Sequence, residues 1–295
     1  MSADLFAIIA PVFLCAALGY GWARLGQTFQ VDFVTNLVTT IGTPCLILST
    51  LLKLEVTSAA FGAQALAAAL VFALVALAGC AILLVLRLPF HSYLPALMFP
   101  NAGNMGLPLA LFAFGERGLA LGIGYFTVAA TMQFTVGAGI AAGRASFGQL
   151  LRTPLIYTVV LGVICMIFEV QAPRWITNTV NLVGGLTIPL MLMALGVSLA
   201  RLRVSSLPRA IAFSALRLCL GFAVSLLVAT LLDLDPVQKG VLILQSAMPV
   251  AVFNYLFASR YQRQPEEVAS MVLISTALAF LALPLLLLFI LPAGG

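Results

Sequence analysis

Charge is the scarcest property of this chain. Only 8% of its 295 residues are Asp, Glu, Lys or Arg, while 63% are hydrophobic and the mean hydropathy is +1.17. A soluble domain of this length carries about 25% charged residues to hold its surface in water, so most of this surface faces lipid. Carboxylates number nine and histidine one, and all ten, His91 included, fall in connections or at the ends of apolar runs. An intramembrane enzyme needs a convergent nucleophile, a carboxylate pair or a metal set, and no apolar run supplies one; the chain is not expected to be an enzyme. Cys15, Cys45, Cys80, Cys165 and Cys219 stand singly without CxxC spacing, which reads as packing, with no metal site and no resident cofactor. The connections are too short for a nucleotide-binding cassette, which excludes ATP as the energy source. A formal charge of +5 spread over those connections reads as membrane topology, with no nucleic-acid partner. Residues 1 to 4 lack a basic leader, so the first apolar run is expected to be a retained span.

Apolar runs are what the chain has in abundance. Divided at charged and Gly/Pro-rich breaks, the sequence predicts ten spans, at 5–23, 33–52, 62–86, 93–114, 119–142, 154–170, 176–199, 207–231, 237–258 and 267–291. Arg24, Arg87, Arg144, Arg152, Arg201, Arg203, Arg209, Arg260 and Arg263 then fall on one side of the membrane, and Lys53, Arg117, Arg174 and Lys239 on the other. By the positive-inside rule the first side is cytoplasmic, which puts both termini on the non-cytoplasmic side of the cell inner membrane. Trp22 and Trp175 fall at span ends, as interfacial anchors do. Paired glycines such as Gly19 and Gly21, Gly122 and Gly124, and Gly137 and Gly139 lack phosphate-loop context and suit close helix packing.

The two halves repeat. At an offset of 145 residues Asn36-Leu37-Val38 meets Asn181-Leu182-Val183, Pro44 meets Pro189, Leu111-Phe112-Ala113 meets Leu256-Phe257-Ala258, and Thr131 meets Thr276. Residues 1–145 and 146–295 each hold five spans, an odd number, so the second copy enters the membrane from the opposite face as an inverted repeat. The expected fold is therefore an all-α polytopic membrane protein of two inverted five-helix repeats.

Spans four and nine are interrupted. Phe99-Pro100-Asn101-Ala102-Gly103-Asn104-Met105-Gly106-Leu107-Pro108 and Gln245-Ser246-Ala247-Met248-Pro249-Val250-Ala251-Val252-Phe253-Asn254 place Pro, Gly and amides inside apolar segments. Proline lacks an amide hydrogen and glycine weakens helix, so both segments should break and cross near the midplane. The strict offset sets Asn101 against Ser246, whereas matching Pro100 to Pro249 needs 149 residues, and the sequence leaves both registers open. A half-helix amino end favours a carboxylate, and Asn101, Asn104 and Asn254 offer neutral donors that hold an anion releasably. The same amides are also able to serve only the backbone groups freed by the breaks.

Further polar groups lie within the spans. Gln133, Gln245 and Ser246 join Thr127 and Thr131 near the breaks, although hydroxyls in membrane helices commonly bond their own preceding carbonyls. The same holds for Thr43, Ser49 and Thr187, while Pro44 and Pro189 suit helix kinks. Arg217 lies about ten residues into span eight and needs a partner: backbone carbonyls at a break, water, or an anionic solute. With no carboxylate or histidine inside a span, proton coupling has no evident residue, and sodium coupling or passive movement stays open.

Pro100-Asn101, Met105-Gly106-Leu107-Pro108, Pro249 and Phe257-Ala258-Ser259-Arg260-Tyr261 resemble the auxin efflux carrier family, and the short connection from Arg144 to Arg152 is similar to its bacterial branch. The resemblance implies a scaffold of spans 1, 2, 6 and 7, a mobile unit of spans 3–5 and 8–10, elevator movement and a homodimer. The expected function is a secondary carrier of small mono- or dicarboxylates, with Pro100, Asn101, Asn104, Gln133, Arg217, Gln245, Ser246, Pro249, Val250 and Asn254 as candidate binding residues. The alternative is a sodium-coupled symporter of larger amphipathic anions of the bile-acid kind.

Overall fold

A computed structural model of the chain describes residues 2–53, 55–143 and 154–291, so the expected connection from Arg144 to Arg152 lies outside the described residues. Every regular element among them is a helix, as lipid requires of a backbone that must satisfy its own polar groups. The helices are α1 (Ser2–Arg24), α2 (Val31–Leu37), α3 (Thr43–Leu51), α4 (Ser58–Leu86), α5 (Phe90–Met98), α6 (Leu107–Met132), α7 (Ala138–Ala142), α8 (Pro154–Ile167), α9 (Arg174–Gly185), α10 (Thr187–Arg201), α11 (Leu207–Leu231), α12 (Pro236–Ser246), α13 (Val252–Arg260) and α14 (Pro265–Ile290). Wider π-helical turns at Val38–Gly42, Ala102–Gly106 and Gln133–Gly137 join α2 to α3, lead into α6, and join α6 to α7.

Among the described residues, seven helical runs are long and apolar enough to cross a membrane: Leu5–Arg24, Val31–Leu51, Ser58–Leu86, Ala102–Ala142, Arg174–Arg201, Leu207–Leu231 and Pro265–Ile290. The intervals expected as spans four and nine are each split into two short helices, and the sixth, expected at 154–170, is Pro154–Ile167, 14 residues long. Ala102–Ala142 merges the second part of span four with span five, but its helix turns at Gly115 (φ 65, ψ −158), a conformation open to glycine alone. His91, expected in a connection, lies instead in the first turn of α5, where its Nδ1 is 2.6 Å from the Ile140 carbonyl.

Proline accounts for the irregular turns in the second and fourth intervals. Pro44 and Pro108 each follow a π-helical turn by two residues, where the missing amide hydrogen leaves a carbonyl one turn back without its helical donor. Pro189 follows the bend at Leu186 that separates α9 from α10. Capping fixes other ends: Thr57 accepts from Ala60 N at 3.2 Å to start α4, and Asp235 Oδ1 accepts from Val237 N and Gln238 N to start α12.

α1 lies along α10, and α3 lies against α8 and α9. A Cβ at Gly196 would collide with the Ala16 carbonyl and one at Gly19 with that of Met193, so the α1 and α10 backbones meet closely because both residues are glycine. The remaining helices pack together, α4 on α5, α6 and α11, α12 on α6 and α11, and α14 on α11 and α13. Phe72 stacks between Phe99 and Tyr125, with centroids at 5.8 and 5.5 Å, and this aromatic core supports the first break. Large apolar side chains such as Leu77, Val85, Leu281 and Leu285 point outward, as a lipid-facing belt does.

Charged pairs close the two ends of α4. Near its start, Lys53 pairs with Glu116 at 2.8 Å and Arg117 with Asp235 at 2.9 Å. Beyond its other end, Arg209 pairs with Glu267 at 3.4 Å and Arg263 Nε donates to the Ala141 carbonyl at 3.1 Å. Lys53 and Arg117 thus share one end, and Arg209 and Arg263 the other.

Candidate functional site at the crossing of two broken helices

α5 ends at Met98, and Phe99 and Asn101 leave helical geometry around Pro100. α12 ends at Ser246, and extended chain through Pro249, Val250 and Ala251 leads into α13. The two breaks lie against each other. Pro100 pairs with Val250 in an antiparallel bridge, Asn101 N donates to the Pro249 carbonyl at 2.7 Å, and Ala251 N donates to the Phe99 carbonyl at 3.1 Å. Each extended piece supplies a partner to the other, so the Asn101 and Ala251 amides and the Pro249 and Phe99 carbonyls are paired across the crossing. The two bonds are related by a local twofold that carries residue n to n + 150, a register neither sequence alignment contained. The expected breaks also narrow: Ala102–Gly106 is already helical, and the non-helical residues are 99–101 and 247–251.

Side chains complete the crossing unevenly. Gln133 Nε2 donates to Asn254 Oδ1 at 3.1 Å, and Asn254 Nδ2 donates to the Phe99 carbonyl at 3.1 Å, so two expected site residues form one relay onto the first break. Ser246 Oγ donates to the Tyr125 hydroxyl at 3.2 Å, its carbonyl accepts from Arg217 Nη2 at 3.0 Å, and Val250 N donates to Ser275 Oγ at 3.0 Å. Asn104 is half-buried on the π-helical turn after Asn101. Gln245 is fully buried between Gly106 and Gly122, and a Cβ at Gly106 would stand well inside contact distance of its Oε1. Thr127 bonds the Ile123 carbonyl, and the Thr131 carbonyl accepts from Thr135, both local helix contacts.

Several buried polar atoms near the crossing have no partner among the described residues. They are Asn101 Nδ2, Arg217 Nε and Nη1, and both amide atoms of Gln245 and of Gln64. Five of these seven atoms are donors. Buried groups left unpaired are rare and call for an explanation, and an excess of donors is what an acceptor-rich anion would satisfy. Asn101, 4% exposed, carries its free donor at the amino end of the resumed helix.

Three residues of this neighbourhood escaped the sequence reading: Gln64, Tyr125 and Ser275. Gln64 carried a signal, since a lone amide in the Ala- and Leu-rich α4 is costly unless used. Tyr125 and Ser275 carried none, because their roles arise from packing between segments more than a hundred and about 25 residues away in sequence. A separate cavity of 340 Å³ lies between α11 and α14, lined by Leu218, Phe222, Met248, Leu283 and Phe289, and it is apolar.

Residues 144–287 match the family model described as membrane transport protein. The chain is 29% identical over 208 residues to an uncharacterized transporter of Methanocaldococcus jannaschii, covering 64% of each. It is 28% identical over 194 residues to an uncharacterized transporter of Methanothermobacter thermautotrophicus, covering 63% of each. It is 26% identical over 156 residues to auxin efflux carrier component 1 of Arabidopsis thaliana, covering 50% of this chain and 24% of that one. The matches thus span just under two thirds of the archaeal relatives and about a quarter of the plant protein. Residues 144–287 thus match the membrane transport protein family, and the similarity to a plant auxin efflux carrier component accords with the resemblance seen in the sequence.

Proposed function

We propose that this multi-pass membrane protein is a secondary carrier of small organic anions, mono- or dicarboxylates, that binds them at the crossing and moves them outward by elevator-type alternating access. One observation carries the reading: Asn101 Nδ2 is buried and unpartnered at the amino end of a half-helix whose break is braced by Pro249. Amide hydrogens at a helix amino end and a neutral amide donor favour a carboxylate without fixing it by a permanent opposite charge. Asn101, Asn104 and Pro100 then line the anion site, with Gln245, Ser246, Pro249, Val250, Gln133 and Asn254 holding its walls and Arg217 adding positive charge behind Ser246. A negative-inside potential drives anion export by about 2.3 kcal/mol per charge per 100 mV.

The architecture we infer is ten spans in two inverted halves, with spans 1, 2, 6 and 7 as scaffold and the rest as the mobile unit, assembled as a homodimer in the inner membrane with both termini outside the cytoplasm. Besides the twofold at the crossing, six of the eight described residues with positive φ support it, since they come in pairs along the two halves: Gly26 and Glu169, Arg87 and Asp233, Gly115 and Gln264. The extensive packing of α1 along α10 and of α3 against α8 and α9 supports a scaffold made of these helices.

The second reading, sodium-coupled symport of larger amphipathic anions, is favoured by the apolar cavity behind Met248, which suits a bulky hydrocarbon body. Uptake of radiolabelled malonate, indole-3-acetate and taurocholate into proteoliposomes, with and without a sodium gradient, separates the two. Sodium-independent flux of a small carboxylate supports the first; flux of taurocholate alone, and only with sodium, replaces it with the second.

A further inference from the structure

Four half-helix ends meet at the crossing, and they are not closed alike. The amino ends at Ala102–Gly106 and α13 each present about half a positive charge, and the carboxyl ends of α5 and α12 about half a negative charge. An anion held by the first two is repelled by the second two. Past α5, the Phe99 carbonyl accepts from Ala251 N and from Asn254 Nδ2, which are neutral donors. At the end of α12, the Ser246 carbonyl accepts instead from the guanidinium of Arg217, a full charge carried on α11 and 1% exposed.

The sequence is built for that contact. A Cβ at Gly221, one turn beyond Arg217, would collide with the Ser246 carbonyl, so glycine there lets α11 approach the end of α12 closely. The ion pairs among the described residues do not include Arg217, so no carboxylate offsets its charge. The opposite end of α12 is capped by Asp235, whose second oxygen is already paired with Arg117, so of the charges at the two ends of α12 that on Arg217 is the one without an opposite partner in the ion pairs described.

We propose that Arg217 is a positioning residue that neutralises the carboxyl end of α12 and thereby sets the crossing's preference for anions, acting through the Ser246 carbonyl. It rests on the carrier reading above and adds to it where the sign of the selected charge comes from. The aim of α12 depends on the bond to Ser246, and the net field on the charge, so a side chain that keeps the charge should keep the affinity.

The test uses full-length protein in proteoliposomes with radiolabelled malonate and indole-3-acetate as probes. Arg217→Gln is expected to raise KM about tenfold while Vmax changes less than about twofold, and Arg217→Lys to return KM to within about threefold of the parent. A parent that moves neither probe sinks the carrier reading and this inference with it; a parent that moves one, with Arg217→Gln at unchanged KM, sinks the inference alone. Should Arg217→Gln fail to fold, Arg217→Lys decides by itself: parental KM supports the role of charge, and a tenfold rise despite the retained charge overturns it.

Discussion

Asn101 and Pro249, 148 positions apart in sequence, share the shortest backbone bond of the crossing, 2.7 Å from amide to carbonyl, and Ala251 returns one to Phe99. Neither break could stand alone in lipid, where each unpaired backbone group costs several kcal/mol. The crossing is therefore a single unit, and changes to its bracing should be felt as stability, changes to its free donors as binding.

Asn254 belongs to the bracing. Its removal takes one donor from the Phe99 carbonyl and leaves Gln133 Nε2 without its acceptor. Asn254→Ala should destabilise the purified protein by about 1–3 kcal/mol, and the double variant with Gln133→Leu should cost less than the sum of the two, because the orphaned amide is gone. Melting temperatures in detergent for the three variants check both statements.

Two glycines should differ sharply when given a methyl group. A Cβ at Gly221 meets the backbone carbonyl of Ser246, which cannot retreat without moving the end of α12, whereas one at Gly106 meets the flexible amide of Gln245. Gly221→Ala is expected to lose about 1–3 kcal/mol of stability and Gly106→Ala clearly less. Equal melting temperatures for the two variants would contradict the packing described at the crossing.

How much of this was legible in the sequence depends on which residues are asked about. Pro100 and Pro249 announced the breaks because a missing amide hydrogen is a local property that needs no knowledge of neighbours. The register did not follow, since Pro100 lies opposite Val250 and the backbone pairs by position along an extended strand, indifferent to which side chains look alike. Gln133 and Asn254 were recognised separately as polar residues in apolar spans, but their bond to each other is a product of packing. The same holds for Arg217, whose need for a partner was plain and whose choice of the Ser246 carbonyl was one of three open answers.

Lys53 and Glu116 offer a handle on movement. They pair at 2.8 Å, each side chain about 40% exposed, and join the end of α3 to the turn at Gly115. A pair this exposed contributes at most about 1 kcal/mol, so charge removal should leave stability nearly unchanged. If α3 is scaffold and the Gly115 turn rides on the mobile unit, the pair must separate in each cycle. Lys53→Cys with Glu116→Cys should then lose flux when bridged by a bifunctional methanethiosulfonate long enough to replace the two side chains and regain it on reduction, while each single variant transports in both conditions. Unchanged flux in a fully cross-linked double variant would contradict the elevator movement.

The account rests most directly on Asn101, whose Nδ2 has no partner to lose. Ligand-induced thermal shift of the parent and of Asn101→Ala, against a panel of mono- and dicarboxylates, measures the claim. At a hundred times Kd a ligand stabilises the parent by about 2.7 kcal/mol, and the variant should melt within about 2 °C of the parent when empty yet gain little from the same ligand. A carboxylate that stabilises both proteins equally would mean that the anion does not bind at the crossing.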